Sequence, residues 1–187
     1  VPDGPHGIAL SPDGRYAYVA CYRAARVAIL DTITETLAGT IALPLGAEPY
    51  GVTTSADGQY VYVTSRERNL VYVLNAQTRQ IVTATPVGLH PQLIARSPDG
   101  KMLYVPNGDG HSLSFLSIAS NPAHPVVTAT TVIGGYPHGV AVTPDGRYVI
   151  VADTIGKTVS VVDARTTKLV ATVPGMQDPN DALATMG

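Results

Sequence analysis

Four prolines recur along the chain, each followed by a side chain able to take part in polar chemistry: Pro5-His6, Pro49-Tyr50, Pro91-Gln92 and Pro137-His138. Pro179-Asn180 adds a fifth copy. A second series, Cys21, Ser65, Asn107 and Asp153, falls at a matching place later in each of the first four copies. Groups of these types, if they converge, would hold a small ligand, an anion or a metal. His6 and His138 are the metal candidates, because imidazole is the commonest metal-binding side chain. Two histidines in separate copies make only half a ligand set, so no cofactor is expected beyond a single divalent ion. His138, Asn107 and Asp153 together supply the imidazole, amide and carboxylate that a hydrolytic site uses. The plainer reading makes these residues solvated channel linings and loop caps, and in general it is the commoner one.

The elements that carry these residues repeat. Ser11-Pro12-Asp13-Gly14 returns as Ser55-Ala56-Asp57-Gly58, Ser97-Pro98-Asp99-Gly100 and Thr143-Pro144-Asp145-Gly146, so the glycines are 44, 42 and 46 residues apart. A period of this size signals a repeat architecture. Each copy reads as a short strand opened by proline, an Asp-Gly hairpin turn, and then three further strands. Tyr16 and Tyr18 fall on one face of the second strand and Ala17 and Val19 on the other. Strand three is Val27–Asp31 in the first copy and ends on Asp31, Asn75, Ser117 or Asp163. Strand four spans 37–43, 81–87, 126–133 and 169–173. The third copy has a longer connection before its last strand, Ala119-Ser120-Asn121-Pro122-Ala123-His124-Pro125.

Four short strands per repeat predict an all-β propeller of four-stranded antiparallel blades: four complete repeats plus one extra innermost strand. The repeats run over about 1–46, 47–88, 89–134 and 135–175, with a partial fifth at 176–187. A single propeller domain, or a propeller segment, follows. In that arrangement the first strand lines the central channel. His6, Tyr50, Gln92 and His138 would then ring its mouth, with Asn107 and Asp153 on the same side.

These runs also resemble a known family. Tyr18-Val19-Ala20-Cys21, Tyr62-Val63-Thr64-Ser65 and Tyr104-Val105-Pro106-Asn107 are similar to the core of the YVTN β-propeller repeat, and Val159–Asp163 resembles its third strand. The fourth copy departs, with Ile150-Val151-Ala152-Asp153 at the core position. The resemblance implies a bacterial or archaeal surface or periplasmic protein, more often a binding or scaffold module than an enzyme, typically of seven blades. Propellers that hydrolyse lactones use acidic and amide groups round a metal near the channel. Glu48, Asn107 and Asp153 would be the counterparts here.

Composition narrows the functions. The net charge of −2 gives no general attraction to nucleic acid. No apolar run approaches the ~20 residues of a membrane helix. The single cysteine, Cys21, admits no internal disulfide and reads as a small buried residue at a strand end. Arg23, Arg26, Arg66 and Arg68 cluster in two loops and would read an anionic partner. Val1 looks like a processed or cut terminus, without a signal peptide in the chain. The expectation is a non-catalytic binding or scaffold propeller outside the cytoplasm, holding a protein or small ligand on its loop face. The alternatives are a metal-assisted lactonase or lyase at the channel mouth, or a structural array in which copies complete one another's ring.

Overall fold

The computed structural model describes residues 1–175, and these are all-β with no helix. Sixteen strands form four antiparallel sheets, each a simple meander. Blade 1 contains β1 (Pro5–Leu10), β2 (Tyr16–Cys21), β3 (Arg26–Asp31) and β4 (Thr36–Ala42). Blade 2 contains β5 (Pro49–Thr54), β6 (Tyr60–Ser65), β7 (Leu70–Asn75) and β8 (Gln80–Pro86). Blade 3 contains β9 (Ala95–Arg96), β10 (Met102–Asn107), β11 (Ser112–Ser117) and β12 (Val126–Val132). Blade 4 contains β13 (Pro137–Val142), β14 (Tyr148–Asp153), β15 (Thr158–Asp163) and β16 (Leu169–Pro174). The predicted fifth innermost strand, which includes Asn180, lies outside the described residues.

The hairpin turns form for a local reason. In blade 1 the Ser11 hydroxyl donates to Asp13 Oδ1 at 2.5 Å, and the Gly14 amide donates to the Ser11 carbonyl at 2.8 Å. Gly14 adopts φ +71°, a conformation that costs a side-chain-bearing residue about 1–2 kcal/mol. The same construction recurs at Asp57, Asp99 and Asp145. At the other hairpin of that face, Asp31, Asn75 and Asp163 each accept two backbone amides from the residues just after them.

Three apolar clusters sit between consecutive blades. One joins Tyr18, Val27 and Ile29 of blade 1 to Val61, Val63 and Tyr72 of blade 2. The next packs Tyr62, Val71 and Val73 on Leu103, Val105 and Leu116. The third packs Tyr104, Leu113 and Phe115 on Val149, Val151 and Val162. Each fully buried side chain of this size contributes roughly 1.5–3 kcal/mol. The outer faces of the end blades are more open. Leu10, Ala17, Leu30 and Leu37 form one cross-strand row on blade 1, and Leu10 and Leu37 are exposed.

Blade 3 departs from the expected pattern. Its innermost strand was predicted over 91–96 but is regular only at Ala95–Arg96, with an isolated bridge pairing Pro91 to Asn107. The other blades have glycine two residues after the proline, and blade 3 has Leu93. At Gly51 an added Cβ would lie 2.7 Å from Leu93 Cα and 2.8 Å from the Gln92 carbonyl oxygen. Neighbouring innermost strands therefore approach backbone to backbone, and a residue with a side chain leaves the regular ladder.

Candidate functional site at the channel mouth

The register explains how the two residue series meet. Pro5 pairs with Cys21, Pro49 with Ser65, Pro91 with Asn107 and Pro137 with Asp153. Pairing is irregular just after the proline in blades 1, 2 and 4. Such a bulge turns the next side chain off the ladder and re-aims it. His6, Tyr50 and His138 meet as a result. The His6 ring stacks on Tyr50 with centroids 3.5 Å apart and planes at 27°. Tyr50 Oη lies 2.9 Å from His138 Nε2, and the two imidazole rings are 6.4 Å apart.

Arg66 completes this group. Its guanidinium carbon lies 4.4 Å from the centre of the Tyr50 ring and 5.6 Å from that of Tyr22. A cation over a ring face is worth roughly 0.5–2 kcal/mol. Arg66 Nη2 also donates to the Tyr136 hydroxyl at 3.3 Å. Tyr22 is hydrogen-bonded to Glu48, and that bond, with burial, raises the phenol above its ordinary pKa.

Gln92 takes a different place. It is fully buried and donates from Nε2 to Tyr136 Oη at 3.0 Å and to the His90 carbonyl at 2.9 Å. Tyr136 Oη is also 2.8 Å from His90 Nδ1. Asp109 Oδ2 is 3.2 Å from the same nitrogen, and Glu67 Oε1 is 3.7 Å from Nε2. Asn107 donates from Nδ2 to the Ser112 and Ser114 hydroxyls, inside blade 3. Asp153 Oδ1 accepts the Tyr136 and Gly156 amides, as a loop cap does. Cys21 is fully buried, and burial pushes its thiol up in pKa.

Of the four arginines in the sequence cluster, Arg66 alone is half-buried at the mouth. Arg23, Arg26 and Arg68 are exposed, and Arg68 donates to the Leu45 carbonyl. Among the described residues, no group of three or more His, Cys, Asp and Glu side chains is placed to hold a metal ion. His6 lies flat on Tyr50, and His138 Nε2 faces the Tyr50 hydroxyl.

Tyr22, Glu67, His90, Asp109 and Tyr136 were not found from the sequence as site residues. A signal for two of them was present. Glu48, His90 and Tyr136 form their own series, each immediately before the strand-opening proline, where blade 1 has Gly4. Glu48 and His90 hold φ of +46° and +56°, which side-chain-bearing residues rarely adopt. Strain of this kind clusters at functional sites. Among the described residues, the buried atoms Glu48 Oε2, Arg66 Nε, Gln92 Oε1 and Asn107 Oδ1 have no hydrogen-bond partner. Leaving such a group unpaired costs about 1–3 kcal/mol, and the cost is recovered when a ligand fills the vacancy.

A family model described as Lactonase, 7-bladed beta-propeller matches residues 4–180. The chain belongs to that family. Membership overturns the expectation of a non-catalytic scaffold and favours the lactonase alternative. No curated protein matches the sequence. Solved structures are similar in fold. The hydrazine synthase of Kuenenia stuttgartiensis is 23% identical with a TM-score of 0.82, over 92% of this chain and 49% of that one. The periplasmic gluconolactonase of Pseudomonas aeruginosa is 22% identical with a TM-score of 0.80, over 92% and 54%. A proposed 6-phosphogluconolactonase from Bacteroides fragilis is 17% identical with a TM-score of 0.80, over 95% and 56%. The chain thus spans about half the length of the structures it matches. At these identities the likeness concerns the fold alone.

Proposed function

We propose that this chain carries the channel-mouth site of a hydrolase acting on cyclic esters of sugar acids. The observation that supports this most is the Tyr50 ring, which is in contact with His6, His138 and Arg66 together. A general base and a fixed cation therefore flank one aromatic surface. Family membership supplies the reaction class.

In the proposed reaction His138 takes a proton from water, and the water oxygen bonds to the lactone carbonyl carbon. Arg66 stabilises the negative charge on the carbonyl oxygen. The ring C–O bond then breaks, and the imidazolium returns its proton to the departing alkoxide. One water is consumed and one hydroxy acid is formed. Tyr50 orients His138, and no step is routed through a metal.

The repeats are proposed to be of YVTN type, and the protein to work outside the cytoplasm. The periplasmic Pseudomonas aeruginosa relative is consistent with that location. The test is hydrolysis of glucono-δ-lactone and its 6-phospho derivative by this chain, followed by titration of the acid released. His138→Gln and Arg66→Gln should each lower kcat/KM by about 10²-fold. A wild-type rate no faster than the spontaneous one, with both lactones, overturns the proposal.

A further inference from the structure

The face opposite the channel mouth carries the Asp-Gly turns, and there the first two blades leave a groove of about 530 Å³. Its walls include Asp13, Tyr18, Asp57, Gln59, Gln77 and Arg79. Cavities of this size hold small ligands or a few residues of peptide. The groove has a counterpart one repeat further on, between blades 2 and 3, and the chain fills that one itself. The Tyr62 hydroxyl, the repeat equivalent of Tyr18, donates to the Pro122 carbonyl at 2.9 Å. Ala123 and Pro125 of the same loop are buried, and the Pro125 carbonyl accepts from Thr85 Oγ1 at 3.0 Å. Ile118, where this loop begins, packs in one cluster with Tyr62.

Blade 2 has no such insertion after β7. It turns directly through Asn75–Arg79 into β8. Tyr18 therefore keeps the packing of Tyr62 without its loop. Among the described residues nothing hydrogen-bonds its hydroxyl, although its ring is buried. The walls carry two carboxylates, Asp13 and Asp57, against one cation, Arg79. Asp13 and Asp57 engage only Oδ1 within their own turns. Arg79, the cation lining the groove, donates from Nη1 to the Ala38 carbonyl.

We propose that the groove between blades 1 and 2 docks a short proline-containing segment of another protein. A backbone carbonyl of that segment accepts from the Tyr18 hydroxyl, as Pro122 does from Tyr62, and a basic side chain beside the proline faces Asp13 and Asp57. The chain's own loop is the template for the shape of the ligand, and the two carboxylates select its charge. The site is separate from the channel mouth, so it stands or falls independently of the proposed hydrolysis.

The probe is a capped peptide copying residues 120–125 with the change His124→Lys, titrated into the intact chain while the amide resonances of Gly58, Gln59 and Ala76 are followed by NMR. Saturable one-to-one binding is expected, with shifts confined to the groove. Tyr18→Phe, which removes only an oxygen, should weaken it five- to tenfold. Gln77→Trp, a change at an exposed position, should abolish it by filling the groove. The unsubstituted loop peptide should bind more weakly than the lysine form, and the difference should shrink at high salt. No saturation at millimolar peptide, or equal affinity for wild type, Tyr18→Phe and Gln77→Trp, overturns the proposal. So does concentration-dependent self-association that perturbs the same amides without peptide, because a second copy is then the occupant.

Discussion

The hydroxyl of Tyr50 lies 2.9 Å from Nε2 of His138, although the two residues are 88 apart in sequence. The bond crosses from blade 2 to blade 4 and fixes one imidazole edge beside a ring that also carries Arg66.

Tyr50→Phe keeps the ring, its stacking on His6 and its contact with Arg66, and removes the bond to His138. Lactone hydrolysis should fall about tenfold through kcat with KM nearly constant, since orientation of the base is lost and binding surface is not. Melting temperature should change little. An unchanged kcat in a hydrolytically active chain would remove Tyr50 as the positioning residue.

Gly51→Ala tests the close approach of the innermost strands. The new methyl would meet backbone atoms of Gln92 and Leu93 within 2.9 Å, and backbone cannot move aside as a flexible side chain can. A loss of about 1–3 kcal/mol is expected, the range for overpacking. Denaturant unfolding measures it. The same substitution at Gly14 meets no neighbouring atom, and its cost there is set by φ alone.

Tyr62→Phe should release the inserted loop of blade 3. One hydrogen bond to the Pro122 carbonyl is lost, worth about 1 kcal/mol. Faster proteolysis near residues 119–125 is the sharper readout, because the effect is local. Protection equal to wild type would show that the packing of Ile118, Ala123 and Pro125 holds the loop unaided.

Acid should unfold the protein through its turns. Asp13, Asp57, Asp99 and Asp145 are each held below their ordinary pKa of 3.8, chiefly by the Ser or Thr hydroxyl that donates to them. The folded form thus favours the ionised carboxyl. The stability this contributes is complete above the unfolded value and is lost as pH falls through 3.8 toward the lower folded values. Melting temperature should be flat from pH 7 to about 5 and decline below about 4. Asp57→Asn should make that decline shallower, and no decline by pH 3 would contradict the turn construction.

How much of this the sequence showed depends on where the determinants lie. The four blades were legible because each Asp-Gly turn is made of residues within about five positions of one another, and the side-chain period of two is equally local. The strand boundaries moved by about one residue, as with β4 and β8, where hairpin geometry sets the end. The short β9 was not legible. Whether a strand tolerates Leu93 depends on the distance to another blade, which no single repeat contains. The two proline-anchored series were found, but their chemistry was spread too evenly among them. Gln92, Asn107 and Asp153 each make hydrogen bonds within the fold, while Arg66 stands apart from the other three arginines and packs on Tyr50. Tyr136 and His90 fall outside both series, because each stands one residue before the strand-opening proline.

The interruption before β9 has a dynamic consequence. The Leu93 amide is directed to the His138 carbonyl of blade 4, at 3.4 Å. One stretch of the channel wall is thus stitched to the next blade by a long bond outside any ladder. Hydrogen exchange should find this seam opening well before the inner strands of blades 1 and 2. Because His138 lies on the seam, each opening would carry the imidazole away from Tyr50, so the channel wall would breathe on the same clock as the site it lines.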